Sequence, residues 1–369
     1  MKILYIANIR VPTERAHGAQ IMSTCQAFAA CGHEVTLCVP TRKNTITIDA
    51  FKYYQIEKNF SLEKISTPDP LWLGKLGFFL SNLWFTLSVL RCVRSFKPDI
   101  IYGRDEFPLL WLTYWHPRVI WEAHGGSWNL PERLLVRRVQ GIVTLTQGTK
   151  NYFIQRGVPG NKIHVAPDGL SQQFFDEKIS KEEARVRLGL PLEPYLVMYI
   201  GLLDPWKGYQ TLLDASVQLI DDNIRVVIIG GFGDQAEKLK SRYPQVIFTG
   251  FLPYADLSKN QRAADVLVIP NSGHSEISRT YTSPLKLFAH MASGVPIVVS
   301  DLPTFREVLD ESMTYFVNPD DPKALADTIR QVLQNKEKAL QRAQCASEHA
   351  KNYTWYKRAS RIIEFINHE

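Results

Sequence analysis

Three short stretches bring together residue types that can hold an anion or face a sugar. Thr282, Ser283, Pro284, Leu285 and Lys286 head an apolar run that Gly294 can stop. Thr282 or Ser283 can cap a helix there, Pro284 fits its first position, and the open N–H groups of the first turn beside Lys286 make an anion site of diphosphate size. Lys207 and Gly208, in LLDPWKG, follow an apolar run and open another helix, so a second ammonium stands beside free helix N–H groups. His124 follows VIWEA and precedes Gly125 and Gly126, which puts an imidazole on a loop of small residues at a strand end. Gly18, and the group Gly230, Gly231, Gly233 and Asp234, let the backbone come close to a base, sugar or phosphate. Bland readings stand beside these: tight turns at the glycines, and an ion pair of Arg104 with Asp105 and Glu106 on another loop after a strand.

Such residues act together only if several strands end side by side. Short apolar runs alternate with amphipathic stretches along the whole chain, the pattern of parallel sheets covered by helices on both faces. Strands are expected at residues 2–7, 34–39, 100–102, 119–122, 141–146 and 162–166, making one doubly wound unit over residues 1–170. The alternation restarts at 196–200, 224–229, 246–248, 266–269, 296–299 and 314–317, a second unit over 171–350. The polar interval 171–194 reads as the linker, 321–350 as one helix, and 351–369 as a helix returning to the first unit. The expected fold class is α/β: two doubly wound Rossmann-like domains facing a central cleft, with ligands at the carboxyl ends of the strands.

The composition fits two globular domains: 369 residues, 45% hydrophobic and 22% charged. A net charge of +6 suits anionic small molecules or an anionic membrane surface and is too small and dispersed for nucleic acid. The five cysteines form no C-x-x-C pair, and the N-terminus reads as a strand, so a cytoplasmic location is expected. Peripheral contact with the inner face of the membrane stays open because residues 71–90 are nearly as apolar as a membrane span, with Lys75 inside and Arg91, Arg94 and Lys97 following. A buried helix is the favoured reading of that segment.

In order and spacing, HGAQ, EAHG, IHVAPDG, YIGLLDPWKG, IIGGFGD, VIFTGFLP, AADVLVIPN, SPLKLFAHMASGVPIVVSD and YTWYKRA together resemble family 4 glycosyltransferases of the GT-B fold. The resemblance spans nearly the whole chain. It implies a hexosyltransferase-type enzyme that moves a sugar from a UDP- or GDP-linked donor to a glycan, lipid-linked or related acceptor with retention, the leaving diphosphate assisting on the same face. No metal and no cofactor are expected. By the same resemblance His124 contacts the transferred sugar, Gly18 lies near donor phosphate and acceptor, and Lys207 binds the diphosphate. The backbone of residues 283–287 holds that diphosphate, and Gly201, Leu202, Gly231, Phe251, Leu252, Arg279, Tyr281, Thr282, Ser283, Pro284, Leu285 and Lys286 line the donor side.

Three positions depart from the family pattern. Leu202 replaces an arginine, for which Arg279 is the candidate substitute, and the paired glutamates fall on Tyr281 and Ala289. The second glutamate would bond both ribose hydroxyls, so Ala289 implies a loss on the order of 1.5–3 kcal/mol per charge-assisted bond and reduced activity. Three explanations stay open: rerouted ribose binding in a natural enzyme, a natural non-catalytic relative, or an engineered Glu-to-Ala change. The intact neighbouring phosphate site favours the last. The alternative functions are a silent GT-B module that binds nucleotide or glycan, and a nucleotide-sugar 2-epimerase.

Overall fold

The structure, a computed structural model, describes residues 1–68, 71–231 and 234–368. It divides into two compact units, 1–167 with 355–369, and 168–354. In the first unit β1 (Lys2–Ile6), β2 (Glu34–Pro40), β3 (Ser61–Ile65), β4 (Ile100–Gly103), β5 (Val119–Ala123), β6 (Gly141–Thr144) and β7 (Ile163–Val165) form one parallel sheet in the order β3-β2-β1-β4-β5-β6-β7. β4, β5 and β6 are buried along their whole length, which is why they read as unbroken apolar runs. β3, reading S-L-E-K-I, is the exposed edge strand, and its charged residues hide it from a hydrophobicity reading.

The second unit repeats the plan. β8 (Tyr195–Ile200), β9 (Ile224–Ile229), β10 (Ile247–Gly250), β11 (Val266–Ile269), β12 (Ile297–Ser300) and β13 (Tyr315–Val317) lie parallel in the order β10-β9-β8-β11-β12-β13. In both sheets the first strand pairs with its successor on one side and with a much later strand on the other, Ile3 opposite Ile100 and Val197 opposite Val266. That reversal of strand order is the switch point, beside which the loops diverge and leave a crevice.

Two expectations change. The polar interval 171–194 is folded: Ser180 and Glu183 form a capping box on the Lys181–Leu188 helix. The buried Arg185 on that helix pairs with Asp265 at 2.6 Å and donates to the carbonyls of Ala263, Leu192 and Pro194. The interval looks like a linker because its one buried cation is counted as surface charge. The single helix expected at 321–350 is two, Pro322–Gln334 and Lys336–Ala350, broken at Asn335, whose side chain donates to the Gln331 carbonyl. The Trp355–His368 helix belongs to the first unit, packed along Ala16–Ala30 and stacking Phe365 on His164 at 5.3 Å.

Candidate functional site

In the second unit cations gather at the switch point. β8 runs into Gly201, and the Lys286 ammonium lies 3.8 Å from where a side chain on Gly201 would begin and 4.4 Å from the Tyr199 ring centroid. Its Nζ is buried with no hydrogen-bond partner among the described residues. Burial, and then the charge of Lys207, holds it well below the ordinary lysine range. Lys207 itself pairs with Asp204 at 2.8 Å and lies over the Trp206 ring. The Tyr199 hydroxyl donates to the Leu202 carbonyl at 2.7 Å, fixing the loop between them.

That loop also leans on the end of β11. Gly208 has φ 64°, and a Cβ there would stand 1.7 Å from the Pro270 carbonyl oxygen. The Ser272 N–H and the Ser278 hydroxyl both donate to the Trp206 carbonyl. Asn271, next in the chain after Pro270, is fully buried with neither side-chain polar atom partnered among the described residues. Buried polar groups normally have partners, so a bare ammonium and a bare amide at one switch point mark a place suited to an oxygen-rich anion.

The Leu285–Ala292 helix starts differently from the sequence reading. Pro284 occupies the cap position and no side chain caps the helix. The Ser283 hydroxyl accepts the Asp168 N–H at 3.1 Å, and the Thr282 N–H donates to the Ile277 carbonyl at the end of a π-turn spanning Ile277–Tyr281. The Ser283 hydroxyl is thus engaged away from the helix, and Thr282 lies two residues before its first turn. The Leu287 N–H donates to the Pro284 carbonyl at 2.8 Å, which leaves the N–H groups of Leu285 and Lys286 for a ligand at this uncapped helix start.

The remaining donor-side candidates are scattered in character. Arg279 is exposed and gives its guanidinium to the Gly273 carbonyl. The Tyr281 hydroxyl donates to Glu276 at 2.8 Å. Gly231 has φ 85°, and a side chain there would press on Leu203. Leu202, Phe251 and Leu252 are half-buried, the last two directly after β10. Ala289 is wholly buried among Leu170, Phe174, Leu287 and Phe288. Gly233 and the side chain of Asp234 lie outside the described residues.

In the first unit the end of β5 carries a closed polar network. His124 Nε2 lies 2.7 Å from Glu122 Oε1, and the wholly buried Glu122 also accepts from the Tyr102 hydroxyl and the Gln20 amide. Arg358, reaching in from the C-terminal helix, stands 3.1 Å from the same carboxylate and donates to the carbonyls of Ala166 and Pro167. Burial raises the Glu122 carboxyl, but Arg358, the His124 hydrogen bond and the charges of His124 and Arg104 outweigh it and hold the group well below its usual range. Burial, with Arg104 beside it, lowers His124 to about 4, so its imidazole is neutral near pH 7. A neutral ring donating Nε2–H to a fixed carboxylate keeps Nδ1 as an acceptor, the form that takes a hydrogen bond from a sugar hydroxyl.

Arg104 does not pair with Asp105 or Glu106. Its guanidinium goes to Gln20, while Asp105 accepts the Asn8 N–H at 2.7 Å. Gly18 lies inside the first turn of the Ala16–Ala30 helix, where a Cβ would sit 2.1 Å from the Tyr54 hydroxyl. That hydroxyl bridges the N–H and carbonyl of Thr13 and cannot withdraw cheaply. Gly18→Ala is accordingly expected to cost about 1–3 kcal/mol by overpacking. Urea denaturation of the variant checks this, and an unchanged midpoint would remove the packing role.

Sequence reading missed Glu122, Arg358, Asn271 and Tyr199. Glu122 and Tyr199 sit within strands and look like core, Arg358 is far away in sequence, and Asn271 gave a signal only as the last residue of AADVLVIPN.

Comparison with known proteins agrees with this layout. Residues 18–174 match the model of Glycosyltransferase Family 4, and residues 194–335 that of Glycosyl transferases group 1. The D-inositol 3-phosphate glycosyltransferase of Corynebacterium glutamicum is 28% identical over 321 residues, 80% of this chain and 70% of that protein. The phosphatidyl-myo-inositol mannosyltransferase of Mycobacterium leprae is 32% identical over 183 residues, 47% of each chain. The matched length thus runs from under half to just over two-thirds of these relatives. Among solved structures, the Anabaena protein HepE in complex with UDP-glucose superposes with a TM-score of 0.77 at 18% identity over the full length of both chains, a likeness of fold.

Proposed function

We propose that this chain, a GT-B glycosyltransferase of the family 4 type by its two matched models in tandem, transfers a sugar from a nucleoside diphosphate sugar, UDP- or GDP-linked, to a glycan or lipid-linked acceptor. The observation that carries the donor reading is the unpartnered, buried Lys286 ammonium beside Lys207 at the switch point of the second unit. A diphosphate placed there would pair the bare ammonium, take the open N–H groups of the Leu285–Ala292 helix and be neutralised as it leaves. Sugar transfer with retention and without a metal follows if that leaving diphosphate takes the acceptor's proton, and the neutral His124 would orient the sugar. The solved complex of HepE with UDP-glucose and the names of the curated relatives support a nucleotide-sugar donor. Calorimetric titration with UDP and GDP tests the reading; heats indistinguishable from dilution for both at millimolar concentration would end it.

Ala289 offers no polar atom where the resemblance places a ribose-binding carboxylate, so donor affinity rests on the diphosphate. UDP and 2′-deoxy-UDP should therefore bind within about threefold of each other, because no charge-assisted bond to the 2′-hydroxyl is lost. A preference for UDP above about tenfold would show that another group holds the ribose. The same alanine favours a second reading, a nucleotide-binding module without turnover. Donor hydrolysis by the chain as it stands separates the two.

A further inference from the structure

The Gly74–Phe96 helix is built inside out over much of its length. Its inward face buries Ser81, Asn82 and Thr86 beside Phe85 and Val89, with Asn82 accepting from the Asn8 side chain and the Thr86 hydroxyl donating to the Asn82 carbonyl. Its outward face exposes Leu76, Trp84 and Leu87, Phe78 and Phe79 are exposed near its start, and Trp72 in the preceding turn is 83% exposed. The helix has the length and apolar composition of a membrane span, yet Phe85 and Val89 are locked into the core of the first unit. It therefore lies against that unit, and the buried helix expected from the sequence is buried on one face only. The side chain of Lys75 lies outside the described residues.

The exposed face continues across the Glu106–Leu112 helix, which packs against it, to the Leu130–Arg138 helix, which packs against Glu106–Leu112 in turn. An aromatic row leads from Phe79 to Phe107, Trp111 and Tyr114 at centroid spacings of 5.5, 6.3 and 6.1 Å, and Arg138 covers the Tyr114 ring at 3.7 Å. Of the exposed large hydrophobic side chains described in the first unit, all but Ile48, Ile154 and Tyr356 fall between Trp72 and Leu134. Such a concentration marks an interaction face rather than the scattered exposure of an ordinary surface.

Charge identifies the partner. Residues 71–165 hold twelve Lys and Arg against five Asp and Glu, so the excess of this segment, +7, exceeds the +6 of the whole chain. Two of the five acids, Glu122 and Glu132, are buried, whereas Arg91, Arg94, Lys97, Arg133, Arg137 and Arg138 are exposed. Apolar and aromatic side chains with basic residues at their margin match a bilayer interface, where rings sit among headgroups and cations meet anionic lipid. We propose that this face of the first unit docks on an anionic membrane surface, with Trp72, Phe78 and Trp84 entering the interface and Arg91, Arg94 and Arg138 contacting headgroups.

Vesicle flotation of the whole chain tests the proposal, using phosphatidylcholine alone and phosphatidylcholine with about one-third phosphatidylglycerol. Binding is expected to the anionic vesicles at low salt and to fall as salt screens the charges. Trp72→Ser with Phe78→Ser should weaken it at least about tenfold, and Arg91→Glu with Arg94→Glu should abolish the preference for anionic lipid. These side chains are exposed, and circular dichroism confirms that each variant stays folded. Recovery of the unmodified chain entirely in the soluble fraction with anionic vesicles at low salt would overturn the proposal. So would a lipid-free dimer in sedimentation velocity that Trp72→Ser with Phe78→Ser dissociates, since the face would then belong to a second copy. UDP binding, read in solution without vesicles, keeps a failure here distinct from a failure of the donor reading.

Discussion

Replacing Lys286 with Met should raise the thermal midpoint of the unliganded chain while lowering donor turnover about 10²–10³-fold, the usual effect of losing one group aimed at developing charge. The two changes have one cause. The Lys286 Nζ is buried with no hydrogen-bond partner among the described residues, and burial, then the charge of Lys207, holds it well below the ordinary lysine range, so protonating it in the folded chain carries a desolvation cost. Removing an unsatisfied buried polar group returns about 1–3 kcal/mol. The sign with pH follows. Between the lowered folded value and 10.5 the unfolded chain binds the extra proton, so unliganded stability climbs with pH across that window and falls as pH drops through it. Lys286→Met should flatten this slope. A bound diphosphate should reverse the shift, so UDP binding should take up a proton at a pH inside that window, found by a pH series. Calorimetry in buffers of different ionisation enthalpy measures that uptake. Equal heats in all buffers, or a variant less stable than the parent, would contradict the account.

Every strand but β3 was legible in the sequence, most plainly β4, β5, β6 and the central strands of the second sheet, which are buried on both faces and read as short apolar runs between turns. β3 was hidden, since an edge strand with Glu63 and Lys64 carries no such pattern. Lys207 and Lys286 could be singled out because each stands at a helix start, yet the sequence does not show that one is paired with Asp204 and the other bare. The Lys207 pair is local, three residues apart, whereas the burial of Lys286 beside Tyr199 and Gly201 arises only in the folded unit. Ala289 shows the opposite limit. The sequence marks it as a missing carboxylate, whereas the structure shows a fully buried position within an apolar core cluster. A glutamate written there would have to displace apolar neighbours or be buried among them.

The network around His124 was invisible for a related reason: its members come from residues 20, 102, 122, 124 and 358, which no local pattern joins. Its energetics give the second large expected effect. Glu122→Gln keeps the shape of the side chain but removes the buried charge that Arg358 and His124 share, a loss on the order of 3–5 kcal/mol. Arg358→Met should cost less, because the carboxylate it abandons still accepts from Gln20, Tyr102 and His124 and can take up a proton. In the double variant both charges are gone, so its loss should be smaller than the sum of the singles by about 1–3 kcal/mol, the coupling of contacting groups. Denaturation of the four species measures this cycle, and strict additivity would mean that the pair is not coupled in solution. A purely structural role for Glu122 would stop at stability. If it also sets the His124 tautomer, the imidazole ¹⁵N shifts of the parent should report protonated Nε2, and those of Glu122→Gln a mixture, with donor turnover falling alongside. The C-terminal helix then bears on His124 through a shared oxygen: Arg358 and His124 meet at Glu122 Oε1, Arg358 holds the carboxylate ionised, and the ionised carboxylate holds the ring.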